Sequence, residues 1–78
     1  RLAAQPLRLA EGAAALDLSP QQREVAVLIA QGHSNSDISR QLGITINTAS
    51  YHVKQVFARL NVHDRSAVAR VLCDAAAR

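Results

Sequence analysis

The 78-residue chain has a single cysteine, Cys73, so no internal disulfide can form, and no Cys-x-x-Cys pair is present to hold a metal or a redox couple. Aromatic residues are scarce at 3%, one Tyr, one Phe and no Trp, which leaves a core to the 49% of hydrophobic residues. No apolar run approaches the roughly 20 residues of a membrane span, and no signal peptide precedes the first helical pattern. A cytoplasmic location is therefore expected. Charged residues make up 19%, too few for a disordered polyelectrolyte. The length allows one domain and little more. It leaves scant room for the walls and catalytic groups of an enzyme beside a helical core, so no enzymatic activity is expected. The chain opens on Arg1 rather than Met and is expected to be a piece of a longer protein. Acids are missing from one stretch in particular: between Asp37 and Asp64 there is no Asp or Glu, while Arg40, Lys54 and Arg59 lie there. With a net charge of +3, this favours an anionic partner.

What is present is helix punctuation. Residues 1–17 are rich in Ala and Leu, contain Pro6 and Gly12, and hold no polar motif. They are expected to be a linker, helical at most in part between Leu7 and Leu16; a further core helix is the alternative. The domain proper is expected over 18–78. Ser19-Pro20-Gln21-Gln22 offers a Ser cap, Pro at the first helical position and Gln three residues after the cap. Val25, Leu28 and Ile29 then share a face, and Gly32 ends the helix. Ser34 and Asp37 repeat the capping logic for a second helix, with Ile38 and Leu42 inward and Gly43 as its stop. Thr45 can cap a third helix, Ile46 to Leu60. Its apolar stripe is Ile46, Ala49, Val53, Val56, Phe57 and Leu60. Asp64 can cap a last helix with Val68, Val71, Leu72 and Ala75 along one face. The fold class predicted is all-α, a four-helix bundle with a central helix-turn-helix.

Two helices joined by a tight Gly-containing turn, the second one longer, are the arrangement that places a helix in the DNA major groove. With Ile46 at zero and about 100° per residue, Asn47, Tyr51, Lys54, Gln55 and Ala58 fall within roughly 80° to 180°, away from the apolar stripe. Lys54 can donate to guanine or phosphate. Asn47 and Gln55 can read adenine, and Tyr51 can pack on a sugar or a thymine methyl. Thr45, Thr48, Ser50 and the N–H groups at the helix start suit phosphate oxygens. Ser34 and Asn35 can clamp the backbone on the other side of the groove. The Val68, Val71, Leu72 and Ala75 face is expected to be left exposed in part and to pair with a second copy on DNA.

These residues match a family. Leu18 to Val71 resembles the LuxR-type DNA-binding domain of bacterial transcription regulators, shared by quorum-sensing regulators, FixJ/NarL-type response regulators and GerE. The matching pieces are Leu18-Ser19-(x)4-Glu24-Val25, Gly32-His33-Ser34-Asn35-(x)2-Ile38, Leu42-Gly43-Ile44-Thr45, Thr48-(x)3-His52-Val53 and Leu60-Asn61-Val62-(x)2-Arg65, in register without gaps. The resemblance implies a four-helix domain whose third helix binds the major groove and whose fourth is a frequent dimer contact. It also implies a receiver or sensor domain ahead of this one, and RNA polymerase as a possible partner. Lys54 matches a common DNA-contacting position. The chain departs from the family where Thr-Val-Lys-x-His becomes Thr48-Ala49-Ser50-Tyr51-His52, so a cation that often meets DNA is Ser50 here.

The remaining candidates have plainer roles. His52 has no nucleophile or carboxylate beside it in the motif and reads as a packing or phosphate-bonding residue. His52, His63 and Cys73 lack zinc spacing, so no metal, cofactor or small-molecule ligand is expected. Glu24 and Arg65 have complementary charge and are candidates for a brace between helices. The rival function is a helical protein-interaction module that has lost DNA contact, favoured by the Ser50 departure.

Overall fold

Five helices form in the computed structural model, which describes residues 4–77. They are α1 (Ala4–Ala15), α2 (Pro20–Ala30), α3 (Asn35–Leu42), α4 (Ile46–Leu60) and α5 (Arg65–Ala77), and the described residues contain no strand. The class is all-α, as expected, with one helix more than the four expected.

Each start of α2 to α5 is set by a side chain that satisfies an N–H the first turn leaves open. The Ser19 hydroxyl accepts from the Gln22 N–H at 3.1 Å, and the Gln22 side chain accepts from the Ser19 N–H at 3.0 Å. Ser34 and Asp37 form the same reciprocal box at 3.1 and 3.2 Å. Thr45 accepts from the Thr48 N–H at 3.1 Å, and Asp64 from the Ala67 N–H at 2.8 Å. The helix-turn-helix corner needs a left-handed residue, and Gly43 supplies it at φ 67°. Asn61 ends α4 in the same region at φ 55°, a conformation Asn tolerates better than most residues.

α2 runs through the middle, against both α4 and α5, while α3 packs on α4 and α1 lies over α5 and α2. Ile29, Ile38, Val25, Val56, Val68 and Leu72 are the largest fully buried side chains. The core is aliphatic, with Phe57 only half-buried at its edge.

Two expectations about the ends of the chain are corrected. Ala4–Ala15, expected to be part of a linker, is a twelve-residue helix docked on the domain, with Leu9 buried and Ala13 only 1% exposed. Pro6 lies in its first turn, where a missing N–H removes no helical bond. Gly12 faces the backbone of α5 so closely that a Cβ built on it would lie 1.8 Å from the Leu72 carbonyl oxygen. The missing side chain of Gly12 is what lets the two helix backbones touch. The second correction follows. Val68 and Leu72, expected on an exposed pairing face, are fully buried, because α1 and α2 cover that side of α5. Val71 and Ala75 are half-buried.

Candidate nucleic-acid interface

α3, the Gly43-Ile44-Thr45 corner and α4 form the helix-turn-helix. Ile38 of α3 and Ala49, Val53 and Val56 of α4 are buried together in the core, which ties α4 down by one side. The other side is open. Asn47, Thr48, Tyr51 and Lys54 are exposed, Tyr51 at 59%. At about 100° per residue Asn47, Tyr51, Lys54 and Ala58 fall within roughly 60° of one another. Gln55 sits half-buried at the rim of this face.

The electrostatics agree. α4 and its preceding corner contain no acid. Among the described residues Lys54 has no carboxylate at ion-pair distance, so its ammonium is available to a ligand. Asp37 is the single acid of α3. Hydrogen bonds from the Ser34 backbone N–H and then the Ser34 hydroxyl, with smaller help from the charges of Arg40 and His33, hold its carboxyl below the ordinary value of 3.8. Its charge is in turn offset by an ion pair with Arg40.

The polar residues expected at the phosphates divide into two groups. Thr45 and Thr48 are exposed, and their hydroxyls bond each other at 2.9 Å. Ser34 is exposed at the α3 cap. Asn35 and Ser50 are half-buried and turned to each other, the Asn35 Nδ2 donating to the Ser50 Oγ at 3.1 Å. Arg65 also enters here, and it corrects the expected pairing with Glu24. The Arg65 guanidinium donates to the Asn35 Oδ1 at 3.0 Å and to the His33 carbonyl oxygen. Glu24 stays exposed on α2.

Ile46 is a further correction. It was placed on the buried stripe, but packing on α4 begins at Ala49, and Ile46 is 51% exposed at the start of the helix. The first residue of a helix lacks a preceding turn to shield it, which is the one local signal that pointed this way. Beside the interface His52 is half-buried, its ring edge-on to Tyr51 with centroids 5.7 Å apart. Cys73 is exposed on α5. Among the described residues no three His, Cys, Asp or Glu side chains cluster as a metal site, and no helix is long and apolar enough to cross a membrane.

The family model of the luxR family of bacterial regulatory proteins (GerE) matches residues 16–72. The chain belongs to that family. The luxR-family match covers α2 to α4 and most of α5, and α1 lies ahead of it. The chain is 42% identical over 59 residues to the two-component response regulator PprB of Pseudomonas aeruginosa, covering 76% of this chain and 22% of that protein. It is 39% identical over 49 residues to the response regulator protein VraR of Staphylococcus aureus, covering 63% of this chain and 23% of that protein. The chain thus spans less than a quarter of the length of these two relatives. No solved structure gives a significant match. Membership of the luxR family makes this a helix-turn-helix domain of the DNA-binding, transcription-regulating class.

Proposed function

We propose that the chain binds specific double-stranded DNA sequences with α4 in the major groove, as the C-terminal output domain of a larger two-component regulator in the bacterial cytoplasm. The observation that carries this is the division of α4. Ala49, Val53 and Val56 are buried in the core, while Asn47, Tyr51 and Lys54 stand exposed on an acid-free opposite face. An exposed amide, phenol and ammonium within one arc are the groups that read base edges and phosphates. Thr45, Thr48 and the N–H groups opening α4 seat a phosphate, helped by the helix dipole. Ser34 and Gln55 lie at the margin. PprB and VraR, response regulators by name, support a receiver-controlled regulator. Two copies on paired half-sites, one α4 in each, are the arrangement we propose on DNA, with RNA polymerase as a partner of the assembled regulator. Since Val68 and Leu72 are in the core, such pairing falls to the rest of the α5 surface, including Val71 and Ala75.

Selection of bound sequences from random duplexes tests this, followed by titration with salt. Enrichment of a sequence, with affinity falling steeply as salt rises, is the expected outcome. Failure to enrich any sequence, with protein partners captured in a salt-insensitive way, would instead establish the rival interaction module.

A further inference from the structure

We infer that Arg65, Asn35 and Ser50 form a positioning brace that sets the rotation of α4 for base reading, and that Asn35 and Ser50 serve DNA binding through this brace rather than by touching DNA. The inference rests on the DNA-binding proposal above. Its starting point is a hydrogen-bond chain that crosses three helices. Arg65 is the first residue of α5, Asn35 the first of α3, and Ser50 lies in the second turn of α4. The links span 30 residues of sequence from Arg65 to Asn35 and 15 from Asn35 to Ser50. Each link is part-buried.

The chemistry of the chain has one direction. Arg65 has only donors. One of its nitrogens meets the Asn35 Oδ1 and another meets the His33 carbonyl. That fixes the Asn35 amide with its oxygen toward the guanidinium. Its NH2 group must then point the other way, toward Ser50, whose Oγ accepts. A flipped amide would set an NH2 group against the donor-only guanidinium and lose the bond to Arg65, even though the Ser50 hydroxyl can donate as well as accept. The brace therefore holds a single arrangement, and it ends four residues before Lys54 and one before Tyr51.

Small rotations of α4 matter at that distance. Side-chain tips lie about 5–6 Å from a helix axis, so a rotation of about 10° moves them by about 1 Å. A hydrogen bond to a base edge tolerates about half that. Aliphatic packing at Ala49, Val53 and Val56 fixes the depth of α4 but resists rotation weakly, since such contacts have no direction. The directional element on this side of α4 is the bond at Ser50.

The test uses the 78-residue chain and the duplex chosen by selection. Arg65→Ala removes two part-buried bonds at once and is a poor variant, since it can unfold the domain. Ser50→Ala and Asn35→Ala, checked for unchanged helix content, are the informative ones. Each is expected to weaken binding to the selected duplex by about five- to tenfold, with binding to a random duplex changed less than about twofold, because phosphate contacts remain. The double variant is expected to be no weaker than the weaker single one, since either change breaks the same chain. Ser50→Thr, which keeps the hydroxyl, is expected to retain affinity. In the free protein, Ser50→Ala is expected to move the NMR signals of the Asn35 side-chain amide and the Arg65 guanidinium. Losses that add, or that fall equally on selected and random duplexes, would mean direct DNA contacts and would overturn the brace. Unmoved side-chain signals would overturn it as well. A wild-type chain that binds no duplex defeats the DNA-binding proposal, and this positioning role with it.

Discussion

Replacing Gly12 with alanine puts the docking of α1 to a direct test, because two effects of opposite sign compete. In a solvent-exposed helix, Gly to Ala stabilises by about 1 kcal/mol. Here the new Cβ would lie 1.8 Å from the Leu72 carbonyl oxygen, 2.6 Å from its carbon and 3.0 Å from its Cα, all backbone atoms that no rotamer change can move aside. An ordinary contact there is about 3.5 Å, so α1 and α5 must part by well over 1 Å. If α1 shifts, overpacking costs about 1–3 kcal/mol. If α1 leaves, burial of Leu9 and Ala13 is lost, about 2–3 kcal/mol at the usual value per buried methylene. A close backbone clash of this depth sits at the upper end of the overpacking range, so in either case the cost exceeds the helix gain by about 1–2 kcal/mol. For a chain of this size that lowers the melting temperature by about 5–15 °C. Thermal melting followed by circular dichroism reads it, with Ala14→Gly, at an exposed site on the same helix, as the contrast. That change costs only the intrinsic helix preference, about 1 kcal/mol. A Gly12→Ala protein that melts higher than wild type would refute the docked helix and return residues 4–15 to the role of a linker.

Other outcomes follow from the same contacts. Lys54→Ala should weaken DNA binding by about 1–3 kcal/mol if the ammonium meets a base, or lower the salt slope by about one if it meets a phosphate; filter binding at several salt concentrations distinguishes these, and no change in either makes Lys54 a bystander. Leu72→Ala should cost about 2–5 kcal/mol in urea unfolding, because the side chain is fully buried, whereas Val71→Asp should leave the fold intact and lower cooperativity on paired half-sites alone. The Asp37 carboxyl has a folded pKa below its ordinary 3.8, so the fold favours the carboxylate. Its contribution is complete above the ordinary carboxylate range and is lost as pH falls through the folded value. The stability gap between wild type and Asp37→Ala should therefore narrow below pH 3.8, and a gap that stays constant down to pH 2 would contradict the capping geometry.

The helix starts and corners were legible because they are local. Ser19 with Gln22, Ser34 with Asp37, and Thr45 with Thr48 interact three residues apart, and their chemistry can be read from a short window. The exposed face of α4 was legible for the same reason: one period places Asn47, Tyr51 and Lys54 together. Ile46 broke the pattern because periodicity assigns a direction but not a neighbour, and the neighbours begin only at Ala49. Asn35 and Ser50 were found by type, but their partners within the fold were not. Their bond to each other and to Arg65 joins residues 15 and 30 positions apart.

The order of residues alone settled the all-helical class, the caps, the acid-free exposed side of α4 and the family, since each rests on spacing within a turn or two or on a motif in register. Whether α1 is a tether or part of the core, and whether Val68 and Leu72 meet a partner or the inside of their own chain, depended on the folded arrangement. Those outcomes turn on how closely two backbones approach, and Gly12 opposite Leu72 is a contact between distant residues that no local pattern encodes.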